Sequence, residues 1–349
     1  MTKIVEQIKE LKNLLGNRVI IPAHHYQKIE IVRLSDFVGD SYKLAVDCSN
    51  TESEFIVFCG VKFMAEGAFL LAKKYQKIIM PDLNAGCPMA DMIDSEIAEK
   101  LYKKLNKSCK REIIPIVYMN SYADMKSFCG EKDGCVCTSS NAGKIIEYYL
   151  SQDKAVFFSP DYNLGINTAR QLKIPSEEIV KINRDLTIEP EMDIENVKLF
   201  IWDGFCHVHK VFTTDDIFKL RERYPGIKII VHPECDEEVV NSSDISGSTQ
   251  KIYQTIKDSP QGSIWGVGTE LNFVLRIADD FKDKKIIPLR NSPCKNMGKI
   301  NLINLAQSLS SILDYKTGKD KLKFEVNVHE QLRLHAQKAL KKMIEISQG

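Results

Sequence analysis

The stretch Pro81-Asp82-Leu83-Asn84-Ala85-Gly86, which follows the apolar run Ile78–Met80, reappears as Pro160-Asp161-Tyr162-Asn163-Leu164-Gly165 after Ala155–Ser159. A fainter echo is Thr269-Glu270-Leu271-Asn272. Phe58-Cys59-Gly60 likewise has counterparts at Val136-Cys137-Thr138 and Val231-His232-Pro233. The two clearest matches lie 79 residues apart (81 to 160) and 78 apart (58 to 136). P-D-x-N alone is ordinary turn chemistry. Two matches at nearly one offset predict a repeated α/β unit, in three copies.

Outward from these stretches, short β-branched runs alternate with helical patterns. Strands are predicted at Val19–Pro22, Phe55–Phe58, Ile78–Met80, Ile113–Met119, Ala155–Ser159, Val197–Trp202, Lys228–His232, Ser263–Val267 and Lys285–Leu289. Helical segments lie between them, including Met64–Tyr75, Gly143–Ser151, Asp215–Tyr224 and Asn272–Phe281. The alternation predicts parallel sheets with helices on both faces, and strand-to-helix loops gathered at the carboxyl ends of the strands. Three copies around a pseudo-threefold axis aim three sets of strand ends at one central cavity. The expected division is 1–107, 108–195 and 196–299 for three αβα units. The last segment, 300–349, reads as two helices (Asn301–Leu313, Val328–Ile346) packed outside them.

The composition is that of an ordinary soluble protein, 44% apolar and 27% charged. A net charge of +1 gives no broad footprint for nucleic acid. No apolar stretch approaches the roughly 18–20 residues of a membrane span. The first sixteen residues read as an amphipathic helix closed by Gly16, so a cytosolic protein is expected. Ten cysteines without a secretion signal point to reduced thiols, some of them metal ligands. Cys48, Cys59 and Cys109 sit in apolar contexts, as small hydrophobes do.

Two cysteine sets compete as a metal centre. Cys87, Cys206 and Cys294 are far apart in sequence, each in a loop past an apolar run (N-A-G-C-P-M, D-G-F-C-H-V-H and S-P-C-K-N-M). If one centre collects them, a cubane iron–sulfur cluster is one ligand short and keeps an iron open as a Lewis acid. Cys129, Cys135 and Cys137 cluster locally, as in a zinc site, but lack a fourth ligand nearby. Local spacing leaves both sets open.

Polar residues collect at predicted strand ends: His24, His25, Tyr26 and Gln27; Tyr118, Met119 and Asn120; Cys206 and His209; His232 and Glu234. Gly39-Asp40-Ser41, Thr138-Ser139-Ser140-Asn141 and Ser246-Gly247-Ser248-Thr249 each precede a helix, where they serve as caps or anion sites. His232 beside Glu234 suits proton transfer, whereas His329 and His335 read as surface residues.

The ordered set A-H-H-Y-Q, G-D-S-Y, N-A-G-C-P-M-A-D-M, V-Y-M-N-S, C-T-S-S-N-A, G-x-C-x-V-H, H-P-E-C, S-G-S-T and C-K-N-M runs from residue 23 to 297 and closely resembles the quinolinate synthase family. The resemblance implies a [4Fe–4S] cluster on Cys87, Cys206 and Cys294, acting as a Lewis acid. It implies condensation of iminoaspartate with dihydroxyacetone phosphate to quinolinate, phosphate and two waters, in NAD biosynthesis. Substrate contacts fall on His24, Ser41, Tyr118, Met119, Asn120, Ser139, His232, Glu234 and Thr249, with Tyr26, Ser248 and Met297 lining the same cavity. Glu234, oriented by His232, is the expected general acid or base, assisted by Tyr118 and His24. The instability of iminoaspartate points to delivery by an aspartate-oxidising enzyme. Two departures stand out. Pro288 and Asn291 replace two cysteines of a C-x-x-C-x-x-C run found in some relatives, and Phe128–Gly134 is slightly long. A non-catalytic iron–sulfur redox or sensor protein is the alternative from another class.

Overall fold

A computed structural model of the chain describes residues 2–348. Strands β1 (Val19–Ile20), β2 (Pro22–His24), β3 (Phe37–Gly39), β4 (Phe55–Val57) and β5 (Lys77–Ile79) come first. β1 and β2 are halves of one strand interrupted at Ile21. β1 pairs with β4 and β2 with β3, while Ala23 bridges Cys59 just past β4. The order is therefore β3, β1/β2, β4, β5, with all pairs parallel.

The second sheet holds β6 (Ile113–Tyr118), β7 (Cys135–Cys137), β8 (Ala155–Ser159), β9 (Ile179–Ile182), β10 (Ile188–Glu189) and β11 (Leu199–Trp202). Its order is β7, β6, β8, β11, β9, β10; β10 runs antiparallel to β9 and the other pairs are parallel. The third sheet runs β13 (Ile245–Ser246), β12 (Lys228–Val231), β14 (Ile264–Gly268), β15 (Lys285–Pro288), all parallel. Each sheet thus repeats one plan. The first strand lies between the second and third, and a further strand (β5, β11 or β15) flanks the third.

The α/β class and the parallel sheets agree with the sequence reading, and all nine predicted strands exist. Leu199–Trp202, expected to open the third unit, is instead hydrogen-bonded between β8 and β9. Its four side chains are all buried, as suits the interior of a parallel sheet covered on both faces. The sequence echo also fails to follow the structural repeat. Pro81 succeeds β5, whereas Pro160 succeeds β8, the third strand of its sheet. Turn chemistry recurs wherever a parallel strand enters a helix, so the echo signals repetition without giving its register. The strands missing from the reading, β3, β7, β9, β10 and β13, are two to four residues long, too short to show a period.

The core follows from strand alternation. In the third sheet Ile230 and Val267 face the main core, while Ile229 and Val231 pack with Phe212 and Leu289 on the other side. His25, just past β2, joins the first sheet to helices of the third. Its Nδ1 accepts from Arg276 Nη2 at 2.8 Å, and its Nε2 meets Gln250 Oε1 at 3.1 Å.

The terminal helices are more integral than expected. The helix Leu302–Lys316 packs on the helix Thr2–Leu15, which closes at Gly16 with φ +55°. Val326 donates its amide to Ile78 and Phe324 accepts from Met80, so this late segment lines the edge of β5. The helix Glu330–Gln348 lies against β7 and the helix Ala123–Glu131. His329 is exposed as predicted, but His335 is half-buried and brings its carbonyl against Gly130. Among the described residues no helix is long and apolar enough to cross a membrane.

Two outcomes are expected from this packing. A Cβ at Gly130 would stand 1.9 Å from the His335 carbonyl oxygen. Gly130→Ala should therefore lower stability by about 1–3 kcal/mol in urea titrations, and an unchanged midpoint would show that the helix crossing yields. Burial, and behind it the Arg276 guanidinium, pushes His25 down to about 3 from 6.5. The unfolded chain binds this proton first as pH falls. Stability is then complete above about pH 6.5 and declines toward pH 3, by about 1.4 kcal/mol per unit for this group. Equal urea midpoints at about pH 7.5 and about pH 5 would contradict that.

Candidate active site

Each strand that flanks a third strand continues into a cysteine loop: β5 leads to Cys87, β11 to Cys206 and β15 to Cys294. One backbone bond fixes all three loops. The first residue of the helix after the third strand donates its amide to a carbonyl two residues before the cysteine. Lys62 binds Ala85 at 2.8 Å, Tyr162 binds Gly204 at 2.8 Å and Leu271 binds Ser292 at 3.1 Å. Gly204 is required by this approach, since a Cβ there would stand 2.2 Å from the Pro160 carbonyl oxygen.

The three cysteines line one cavity. Of the predicted polar residues, His24, Tyr26, Ser41, Tyr118, Asn120, Ser139, His232, Glu234 and Thr249 line it, as does Met297. They come from first-strand and second-strand ends of all three sheets. Met119 and Ser248 do not line it. The Ser248 hydroxyl caps the helix Thr249–Asp258 by accepting from the Lys251 amide, and Asp40 caps the helix Ser41–Asn50 in the same way. The Met119 backbone is used in the turn beyond β6, where its carbonyl and that of Ser121 accept from the buried ammonium of Lys126. Helix-start residues therefore divide into caps and cavity hydroxyls.

Glu234 has a different partner from the one expected. Its Oε2 is 2.6 Å from His209 Nδ1 and 3.9 Å from His232 Nδ1. The His232 Nδ1 accepts the Glu234 amide at 3.3 Å, and the His24 Nδ1 accepts the Tyr26 amide at 3.2 Å. Both rings thus carry their proton on Nε2. Burial pushes His232 down to about 3 and His24 well below its ordinary value, so both are neutral donors near pH 7. Burial alone would raise the Glu234 carboxyl. The imidazoles of His232 and His209, the bond from His209 and the facing Tyr118 hydroxyl outweigh it and hold the carboxyl below the usual range. Burial and the Glu234 charge keep Tyr118 protonated by raising its pKa.

His209 carries the arrangement onward. Its Nε2 is 3.0 Å from Thr269 Oγ1 and 3.4 Å from the Tyr26 hydroxyl, and its ring stacks on His232 at 4.4 Å. Tyr26 also meets Thr269 Oγ1 at 2.9 Å and accepts from Thr249 at 3.2 Å. A carboxylate, an imidazole and hydroxyls in series can move a proton. The sequence reading named His209 without giving it a role and missed Thr269. The available signal was C-x-x-H: the turn in which His209 and Lys210 donate to the Cys206 carbonyl sets His209 beside its cysteine.

Among the described residues, the potential metal ligands whose atoms all lie within 4.8 Å of one another are Cys206, His209 and Glu234. The His209–Glu234 contact already satisfies two of them. Cys129, Cys135 and Cys137 do not meet that spacing. C-V-C is strand β7, and Cys129 lies in the helix Ala123–Glu131 with its thiol donating to the Pro115 carbonyl. All three are buried and held protonated by burial. Phe128–Gly134 is accordingly the end of that helix and a turn, with Phe128–Gly130 and Gly134 buried and Glu131 and Asp133 exposed.

Residues 6–345 match the family described as "Quinolinate synthetase A protein". The chain is 42% identical to the quinolinate synthase of Bacillus velezensis over 346 residues, 97% of this chain and 92% of the relative. The Bacillus mycoides quinolinate synthase is 44% identical over 311 residues, covering 88% of this chain and 84% of the relative. A Plasmodium falciparum reductase structure aligns with a TM-score of 0.31 at 11% identity, too distant to inform the fold. The fold, the cavity and these matches agree: the chain belongs to the quinolinate synthase family.

Proposed function

We propose that this chain is a quinolinate synthase of NAD biosynthesis that joins iminoaspartate to dihydroxyacetone phosphate, giving quinolinate, phosphate and two waters. The observation that carries the reading is that Cys87, Cys206 and Cys294, from three different sheets, line one cavity with Glu234 and two neutral imidazoles.

The donor set suits a [4Fe–4S] cluster. Amides of Ala90 and Met89 favour the thiolate of Cys87, and those of Met297 and Asn296 favour that of Cys294. Burial first, and then the neighbouring thiols and Glu234, push Cys87 up to about 12 and raise Cys206. Iron ions bound by the three sulfurs would relieve this by stabilising the thiolates. The three sulfurs do not share the 4.8 Å spacing of a single-ion group, so they do not form a mononuclear site. With Cys87, Cys206 and Cys294 as its protein ligands, a cluster would be one protein ligand short and would supply Lewis acidity toward a substrate carboxylate or hydroxyl.

The protein's own groups do the rest. Ser41, Ser139 and Thr249, near helix starts, bind carboxylate or phosphate oxygens. The Nε2–H groups of His24 and His232 donate to the same anionic substrates. Asn120 Oδ1, buried without a partner, accepts from an amine or imine nitrogen. Glu234 holds His209 by Nδ1, leaving Nε2 to exchange a proton with the hydroxyls of Tyr26 and Thr269. The largely buried lining of the cavity limits the access of bulk water to hydrolysable intermediates. A cytoplasmic location, and delivery of iminoaspartate by an aspartate-oxidising enzyme, belong to the same proposal.

Anaerobically purified protein should carry about four irons and four sulfides per chain. Cys87→Ala, Cys206→Ala and Cys294→Ala should each lose them, and Cys129→Ala should not. The opposite pattern would transfer the centre to the local cluster. Glu234→Gln should retain iron while quinolinate formation falls by about 10²–10⁴-fold. Turnover within a few-fold of the parent would remove Glu234 from the proton pathway.

A further inference from the structure

The three cysteine loops share one backbone tie, but they differ in what meets the cysteine and its helix. The residue just before each donating amide is Val61 in the first sheet, Asp161 in the second and Glu270 in the third. Val61 offers no side-chain cap to its helix. Asp161 Oδ1 caps the next helix by accepting from Leu164 at 2.6 Å, while its Oδ2 is buried and the Cys206 amide faces the carboxyl without closing a hydrogen bond on it. Glu270 does two things at once. Oε2 caps its helix by accepting from the Phe273 amide at 3.1 Å, and Oε1 accepts the Cys294 amide at 3.0 Å. Asn272 Nδ2 steadies Oε1 at 2.8 Å, and Glu270 is 0% exposed. Cys87 has a weaker anchor, the Tyr122 hydroxyl at 3.3 Å from its amide.

We propose that Glu270 is a positioning residue for Cys294: its extra methylene, relative to Asp161, lets one carboxylate both cap the helix and grip the amide of a ligand cysteine. This rests on the assignment of Cys294 as a cluster ligand. The loop from Leu289 to Asn296 is irregular; Leu271 holds it at Ser292, and Glu270 is the group that holds the amide of Cys294 itself. Groups that orient metal ligands typically set metal affinity by about 10–100-fold.

Glu270→Asp separates the two tasks. Asp is a good N-cap, and Asp161 shows that an aspartate at this position keeps the cap while its carboxyl faces the cysteine amide without closing the hydrogen bond that Glu270 makes. The test uses full-length protein loaded anaerobically, with iron loss to a chelator followed in time and peptide-resolved alkylation reporting which cysteine becomes reactive first. Glu270→Asp should lose iron about 10–100-fold faster at an unchanged melting temperature, with Cys294 labelled ahead of Cys87 and Cys206. Asp94→Ala removes the cap of the helix Ser95–Ser108, which carries no cluster cysteine, and should release iron at the parent rate. Glu270→Asp releasing iron at the parent rate, or all three cysteines reacting together, overturns the assignment. A parent protein that takes up no iron overturns the cluster itself, a result distinct from either.

Discussion

Everything at the centre of this molecule depends on one backbone contact made three times. In each sheet the amide that opens a helix holds a carbonyl two residues short of a cysteine. A helix start has unpaired amides to offer, and an irregular loop has carbonyls to satisfy. The bond answers both needs, and it ties the irregular cysteine loop to the rigid element beside it. Side chains on such anchored loops can be placed to within the tolerance that chemistry needs. Three loops built alike, from three sheets, then present three thiols to one space.

The remaining chemistry comes from burying charge with care. Glu234 is 2% exposed and would be costly to ionise there without partners. His209 at 2.6 Å supplies a partner, and Tyr118 a hydroxyl. The neighbouring imidazoles of His24 and His232 stay neutral because their Nδ1 atoms are occupied by backbone amides and their surroundings are dry. The same H-x-[YE] geometry at the ends of β2 and β12 gives two donors with fixed tautomers. A mixture of one ionised carboxylate and several neutral donors is better suited to an anionic ligand than a ring of acids.

Much of this was legible in the sequence because strand ends carry polar clusters that strands themselves do not. His24, Tyr26, Tyr118, Asn120, His232 and Glu234 were readable as a set for that reason, and the structure gathers them. Sequence could not say that His209, not His232, is the close partner of Glu234. That depends on a turn after Cys206 and on the approach of the second sheet to the third. Nor could it separate Ser248 from Thr249, since adjacent hydroxyls at a helix start look alike until one is seen capping. The repeat was visible as a fact but misaligned, because Pro-Asp turns follow third and later strands without distinction. Cys129, Cys135 and Cys137 looked like a metal site only because three residues of β7 are too few to announce a strand.

The late segment of the chain also settles when the earlier parts can be finished. Residues 324–326 line the open edge of β5, and the helix Glu330–Gln348 covers β7 and the helix Ala123–Glu131. During synthesis the first two sheets therefore emerge with bare edges and an uncovered apolar face, long before their covering is made. Contacts so distant along the chain close slowly, and exposed edges invite pairing with other molecules in the meantime. Assembly of this protein is consequently a task for the finished polypeptide and for whatever chaperones attend it, and shortening it at the far end would leave nascent layers prone to aggregate.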